Sequence, residues 1–151
     1  MNFPKPLKFN AYAFLKLPSA WWCGVRLCGI NEKQCIVSVK HRWINQNPFK
    51  SMFWAVQGMA AELSTGALVV SYIRFSGHKI SMLVANNKAT FTKKATGKIT
   101  FVCQDGMKIR ETIESAIATK EGQTCWMKAV GTNKDGVAVS EFHFEWTVKL
   151  K

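Results

Sequence analysis

Apolar positions along this chain follow two periods, and the change between them divides it. Residues 25–42 and 80–150 mostly alternate apolar with polar, whereas residues 49–73 are apolar almost without a break. The unbroken stretch opens at Asn47-Pro48, a good N-cap followed by a residue suited to the first helical position. It stops at Gly77, which readily takes the left-handed conformation that ends helices. At 3.6 residues per turn, Phe49, Phe53, Val56, Ala60, Leu63 and Ala67 form one stripe, yet the other faces are apolar too. Such a helix is buried on all sides. The spacing therefore predicts one long central helix over 47–77.

The remaining elements follow in order. Pro6 to Leu17 predicts a short helix with Leu7, Ala11, Phe14 and Leu15 on its packing side, ended by Pro18. Trp21 and Trp22 follow; packing the helix onto the body is the expectation, with a membrane anchor as the alternative. Val25–Ile30 and Gln34–Arg42 predict two strands around a turn at Asn31-Glu32-Lys33. Beyond Gly77, Ile80, Met82 and Val84 share a face, but Ala89 and Phe91 have the opposite parity, which predicts a bulge at Asn86-Asn87. Ile99, Phe101 and Cys103 mark the next strand. Asp105-Gly106 opens a helix with the stripe Ile109, Ile113 and Ala116. Thr124–Gly131 and Val137–Leu150 form a hairpin about Asn133–Gly136. In its second strand Phe142, Phe144, Trp146, Val148 and Leu150 point inward.

Composition narrows this picture. The 151 residues fit one domain, 1–151, and 48% hydrophobic with 12% aromatic residues excludes a disordered chain. No apolar run could span a bilayer, and Met1–Trp22 carries Lys5, Lys8 and Lys16 without a signal-like apolar core. The expectation is a cytoplasmic protein with no integral membrane segment. Its five cysteines lack a Cys-x-x-Cys pair, which indicates neither a disulfide framework nor a metal site. They read as small buried hydrophobes. The net charge of +12 comes from 17 lysines and only 4 arginines. Nucleic-acid readers lean on arginine forks, and none of their motifs occurs, so no nucleic-acid partner is expected. A lysine-rich solvated surface, a small phosphorylated ligand or an anionic membrane surface also accounts for the charge.

Candidate chemistry is sparse. No nucleophile elbow, phosphate loop or dinucleotide fingerprint is present, and no cofactor is expected. His41, His78 and His143 fall on separate elements. Within the long helix, Glu62 and Tyr72 are the ionisable side chains between Lys50 and Arg74. The neighbours on the Glu62 face are small or flexible: Ala55, Gly58 and Met59 before it, Thr65 and Gly66 after it. The carboxylate thus looks into a lane where something thin can pass. It is either a base or nucleophile, or a buried acid held by basic or backbone donors. Lys93, Lys94 and Lys98 around Thr96-Gly97 form the best phosphate candidate beside a plain solvated turn.

A strand pair, a long buried helix and four more strands with an inserted helix make an α+β fold, an antiparallel sheet of about six strands around a central helix. The segments Asn45-Gln-Asn-Pro-Phe-Lys-Ser-Met-Phe-Trp-Ala, Ala60-Ala-Glu-Leu-Ser-Thr-Gly and Ala89-Thr-Phe-Thr-Lys-Lys-Ala-Thr-Gly-Lys-Ile carry a resemblance across nearly the whole chain. They resemble the hot-dog acyl-CoA thioesterase superfamily, in particular a branch of small bacterial proteins of unassigned function. The resemblance implies an acyl-CoA substrate and a homodimer or homotetramer with sites between protomers. In phenylacetate-type thioesterases a His-Gly-Gly segment precedes a catalytic carboxylate, which lies nine positions after the His. Counting back from Glu62 places Phe53-Trp54-Ala55 there, so Glu62 matches and the segment does not. The resemblance thus implies catalytic roles for Glu62 and for the amides of Trp54 and Ala55. It implies substrate contacts at Asn47, Phe53, Gly58, Met59, Lys93, Lys94 and Lys98, with coenzyme A phosphates near the lysines. The rival expectations are a non-catalytic acyl-CoA or fatty-acyl binder and a basic nucleic-acid or membrane-surface module.

Overall fold

A computed structural model describes residues 1–151: four helices and a single six-stranded antiparallel sheet. In chain order these are α1 (Pro6–Lys16), α2 (Pro18–Trp22), β1 (Arg26–Ile30), β2 (Cys35–Lys40) and α3 (Trp54–Ser76). Then come β3 (Ile80–Phe91), β4 (Lys98–Cys103), α4 (Gly106–Thr119), β5 (Gln123–Thr132) and β6 (Ala138–Leu150). The strand order is β1-β2-β4-β5-β6-β3. Helix α3 crosses one sheet face, touching β1, β2, β4, β5 and β6. This is the hot-dog architecture expected from the sequence.

Alternation decides which sheet face meets the helix. Phe142, Phe144, Trp146 and Val148 of β6 are buried, as are Ile99, Phe101 and Cys103 of β4. They form one core with Val56, Ala60, Leu63 and Ala67 of α3 and with the α4 stripe Ile109, Ile113 and Ala116. Trp146 locks the two layers together, its indole N–H donating to the Thr65 hydroxyl at 2.9 Å. At its far end α3 stops on Gly77, whose φ of 70° is the expected left-handed cap. The parity change in β3 is a register shift between Val84 and Asn86, one residue before the expected site.

Two expectations need correction. Helix α3 begins at Trp54, not at Pro48, with Phe53 as its N-cap. Asn47 instead closes a turn, its side-chain oxygen accepting from the N–H groups of Phe49 (2.9 Å) and Ser51 (3.3 Å). Lys50 is left-handed at φ 59°, which no helix accommodates. Asn-Pro starts turns as well as helices, and the side-chain turn wins here. Phe49 and Phe53 are consequently exposed rather than in the stripe.

The second correction concerns α1. Its buried face runs through Ala13, while Leu7, Ala11, Phe14 and Leu15 face solvent. Asn10 is the reason. Its side-chain amide donates to Leu27 O at 3.0 Å and accepts from Leu27 N–H at 2.9 Å, tying α1 to the open edge of β1. Pro18 ends α1 and also opens α2. Trp21 packs, edge-on to Phe14 at 4.7 Å, whereas Trp22 is exposed. All five cysteines are free, and Cys35, Cys103 and Cys125 are buried as expected. Cys28 departs from that reading: it is exposed, beside the Ser38 hydroxyl at 3.1 Å.

Candidate active site

Glu62 sits on the third turn of α3, partly buried, facing the corner between α1 and α2. A cavity of about 280 Å³ opens there, lined by Glu62, Met59 and Leu63 of α3 and by Lys16, Leu17, Pro18, Ser19 and Ala20. Gly66 leaves the carboxylate its space: a Cβ at that position would lie 3.2 Å from both Glu62 Oε1 and the Trp146 ring. The hydroxyl of Thr65 donates to the Glu62 main-chain oxygen and accepts from Trp146, so it serves the backbone and not the carboxylate. Neither a hydrogen-bond donor nor a cation pairs with the carboxyl group. Burial accordingly raises its pKa above the usual carboxylate range. A carboxyl with a raised pKa in a cavity is a candidate general base. Within one protomer no basic side chain or backbone N–H meets it, which leaves a subunit contact as the place where such donors could come from.

A larger cavity of about 580 Å³ lies at the N-terminus of α3. Its walls are Met52, Phe53, Trp54 and Phe91, with Asn47, Lys93 and Lys94 at the polar side. That size suits a substantial ligand. Lys94 Nζ donates to Phe49 O at 3.2 Å, which fixes it at the rim. No side chain caps α3, so the N–H groups of Trp54 and Ala55 stay open at the positive end of a 23-residue helix. Gln57 also lines this cavity. It is buried, and its side-chain oxygen has no partner.

The expected residues are thus distributed over more than one place. Asn47, Phe53, Trp54, Lys93 and Lys94 share the larger cavity, with Ala55 on the same first turn of the helix. Glu62 and Met59 share the smaller one. Gly58 packs against Phe142, where an added Cβ would lie 3.5 Å from the ring. Lys98 belongs to a separate recess with Gly24, Arg26, Ser38, Lys40 and Arg42. Glu62 follows Trp54 by eight residues, or about 12 Å along the helix axis at 1.5 Å per residue. Its carboxylate and the amides at the start of the same helix are too far apart to meet at one carbonyl. Gln57 escaped the sequence reading, although a lone amide in an otherwise apolar helix was the available signal.

Cysteine chemistry does not compete. Burial raises the Cys35, Cys103 and Cys125 thiols, so they stay protonated at neutral pH. His143 pairs with Glu141 at 2.6 Å on the outer sheet face, away from both cavities.

Several solved structures share this fold. A Pseudomonas aeruginosa protein described as of unknown function and a "probable thioesterase" superposes with a TM-score of 0.80 at 18% identity, covering 100% of both chains. A thioesterase from the same organism, solved as a mutant, has a TM-score of 0.73 at 14% identity, with 99% of this chain and 97% of that one covered. The Escherichia coli PaaI protein, from the phenylacetic acid degradation operon, has a TM-score of 0.60 at 12% identity and coverages of 93% and 96%. No protein of curated function matches the sequence. Residues 7–148 match a family model described as a domain of unknown function, DUF4442. The chain is a hot-dog-fold protein and belongs to the DUF4442 family.

Proposed function

We propose that this protein hydrolyses the thioester of an apolar acyl-coenzyme A. The observation that carries the reading is the Glu62 carboxyl, partly buried on the central helix without a side-chain partner and raised in pKa by that burial. Ionised Glu62 takes a proton from water, and the resulting hydroxide adds to the thioester carbonyl carbon. The oxyanion is held by the open amides of Trp54 and Ala55. When it collapses the C–S bond breaks, and coenzyme A leaves as a thiolate that takes up the proton. Phe53 and Met59 line the path of the acyl group, while Lys93 and Lys94 hold coenzyme A phosphates by point charge.

The separation of about 12 Å within one helix requires two protomers, Glu62 of one working with the helix start of the other. The open edge of β3 supports such pairing, because none of its 12 residues is buried. We therefore expect a homodimer or dimer of dimers. Free cysteines fit a reducing cytoplasm.

Trp54 favours a second reading. It stands where glycine would leave the amides bare, and 56% of it is exposed beside them. If the indole blocks the carbonyl, the protein binds acyl-CoA without turnover. A panel of acyl-CoAs, assayed for free thiol release, decides between the two. Hydrolysis of at least one member is expected; tight binding with no release throughout favours the binder.

A further inference from the structure

The recess around Lys98 answers to none of the chemistry above. It is about 270 Å³, and its lining is Gly24, Arg26, Ser38, Lys40, Arg42 and Lys98. Four cations converge without a carboxylate, and none of them is in an ion pair. Two of the four arginines in the chain are spent here. Arg26 is held in place: Nη1 donates to Trp21 O (2.7 Å) and Val25 O (2.8 Å), and the guanidinium lies 4.3 Å from the Trp21 ring centre. Arg42 presses against bare backbone at Gly24, where a Cβ would collide with its guanidinium. Burial and the charge of Arg42 both lower the Arg26 pKa, the mark of like charges held together. An anion is the natural complement, and phosphate suits paired guanidiniums.

The surface beside the recess is apolar. Arg26 stacks on Trp21, Trp21 meets Phe14 edge-on, and Phe14 belongs to the solvent-facing α1 stripe. Leu7 and Leu15 of that stripe are 84% and 73% exposed, and Trp22 is 58% exposed. Lys5, Lys8 and Lys16 flank them. A helix with exposed leucines and aromatics set among lysines has the character of one that lies in a bilayer interface. The charge distribution agrees: residues 1–61 hold eight lysines and arginines against one carboxylate, Glu32. No helix is long and apolar enough to cross a membrane. Lying on one is a different matter.

We propose that this end of the molecule docks on an anionic phospholipid bilayer, with head-group phosphate seated among Arg26, Lys40, Arg42 and Lys98 and the α1 stripe in the head-group layer. The surface is at the β1 edge, opposite β3 in the sheet order. It does not depend on the hydrolytic reading.

Vesicle co-sedimentation of the full chain tests this, with phosphatidylcholine alone and with phosphatidylcholine containing a third of phosphatidylglycerol. Binding is expected only to the anionic vesicles. Lys40→Gln with Lys98→Gln should weaken it about twenty-five-fold, at about fivefold per charge near the surface. Leu7→Ser with Leu15→Ser should weaken it at least about tenfold, since the stripe supplies apolar contact. All four changes are at exposed positions, and circular dichroism checks that the variants fold. Vesicle binding indifferent to both double variants would overturn the proposal. So would thermal stabilisation by inorganic phosphate that the charge variant loses, without vesicle binding, because the ligand is then a soluble phosphate. Tighter binding to a fluorescent single-stranded oligonucleotide than to vesicles would overturn it in favour of nucleic acid. An oligomer split by the leucine changes, again without vesicle binding, would assign the stripe to a second copy of the chain.

Discussion

Glu62 is a carboxyl whose surroundings favour the protonated form, and two consequences follow from that one fact. Its pKa is raised in the folded chain relative to about 4.3 in an unfolded one. The folded state therefore binds this proton more tightly. The stability it contributes is complete below about pH 4.3 and is lost as pH rises through the folded value. Glu62→Gln removes that loss. The variant should melt higher than wild type at pH 7.5, with the difference shrinking toward pH 4, as measured by thermal denaturation. A variant less stable at pH 7.5 would mean that the carboxylate has a cationic partner in solution. The lysines make a second residue-scale prediction. Lys93→Ala with Lys94→Ala should raise KM for an acyl-CoA and leave an acyl-pantetheine nearly unaffected, since only the former carries the nucleotide phosphates. Lys98→Ala, on the other recess, should change neither in steady-state assays. Equal loss on both substrates would make Lys93 and Lys94 structural.

Elements were legible in the sequence wherever a pattern had one physical meaning. Strand alternation gave β6 and its inward face, and the stripe Ile109, Ile113 and Ala116 gave α4. Gly77 ended α3 as expected, and its φ of 70° makes a sharp test. Gly77→Ala places a side chain in the left-handed region, although there is open space around it. It should cost about 1 kcal/mol from that conformation alone, read from urea denaturation. A neutral result would show that the α3 terminus relaxes. Patterns with two meanings misled. Asn47-Pro48 can begin a helix or a turn, and a long-range bond settles it: Met52 N–H donates to Ala95 O at 2.8 Å. The α1 stripe reads as a packing face by periodicity. It is turned outward by Asn10 on β1, a contact between residues 17 apart that local pattern cannot show. The candidate site was legible one residue at a time. Glu62 stood out as a charge in an apolar helix, but its distance from Phe53-Trp54-Ala55 matters only once α3 is seen as one straight element. The lysine cluster looked continuous along the chain, yet its members line different recesses.

At the scale of the whole molecule, the proposed chemistry depends on assembly. One protomer carries Glu62 and the open amides of α3 in separate places, and the exposed β3 edge offers a way to bring two protomers together. Light scattering at micromolar concentration should give a dimer or tetramer; a monomer would remove the composite site. Turnover of an accepted acyl-CoA by wild type and by a folded Glu62→Gln variant decides whether Glu62 performs thioester hydrolysis. Loss of a general base typically costs about 10² to 10⁴ in rate, and acyl-chain binding does not need the charge. In the Gln variant kcat should fall at least about a hundredfold while acyl-CoA affinity stays within about threefold. A fully folded Gln variant with wild-type turnover would contradict it.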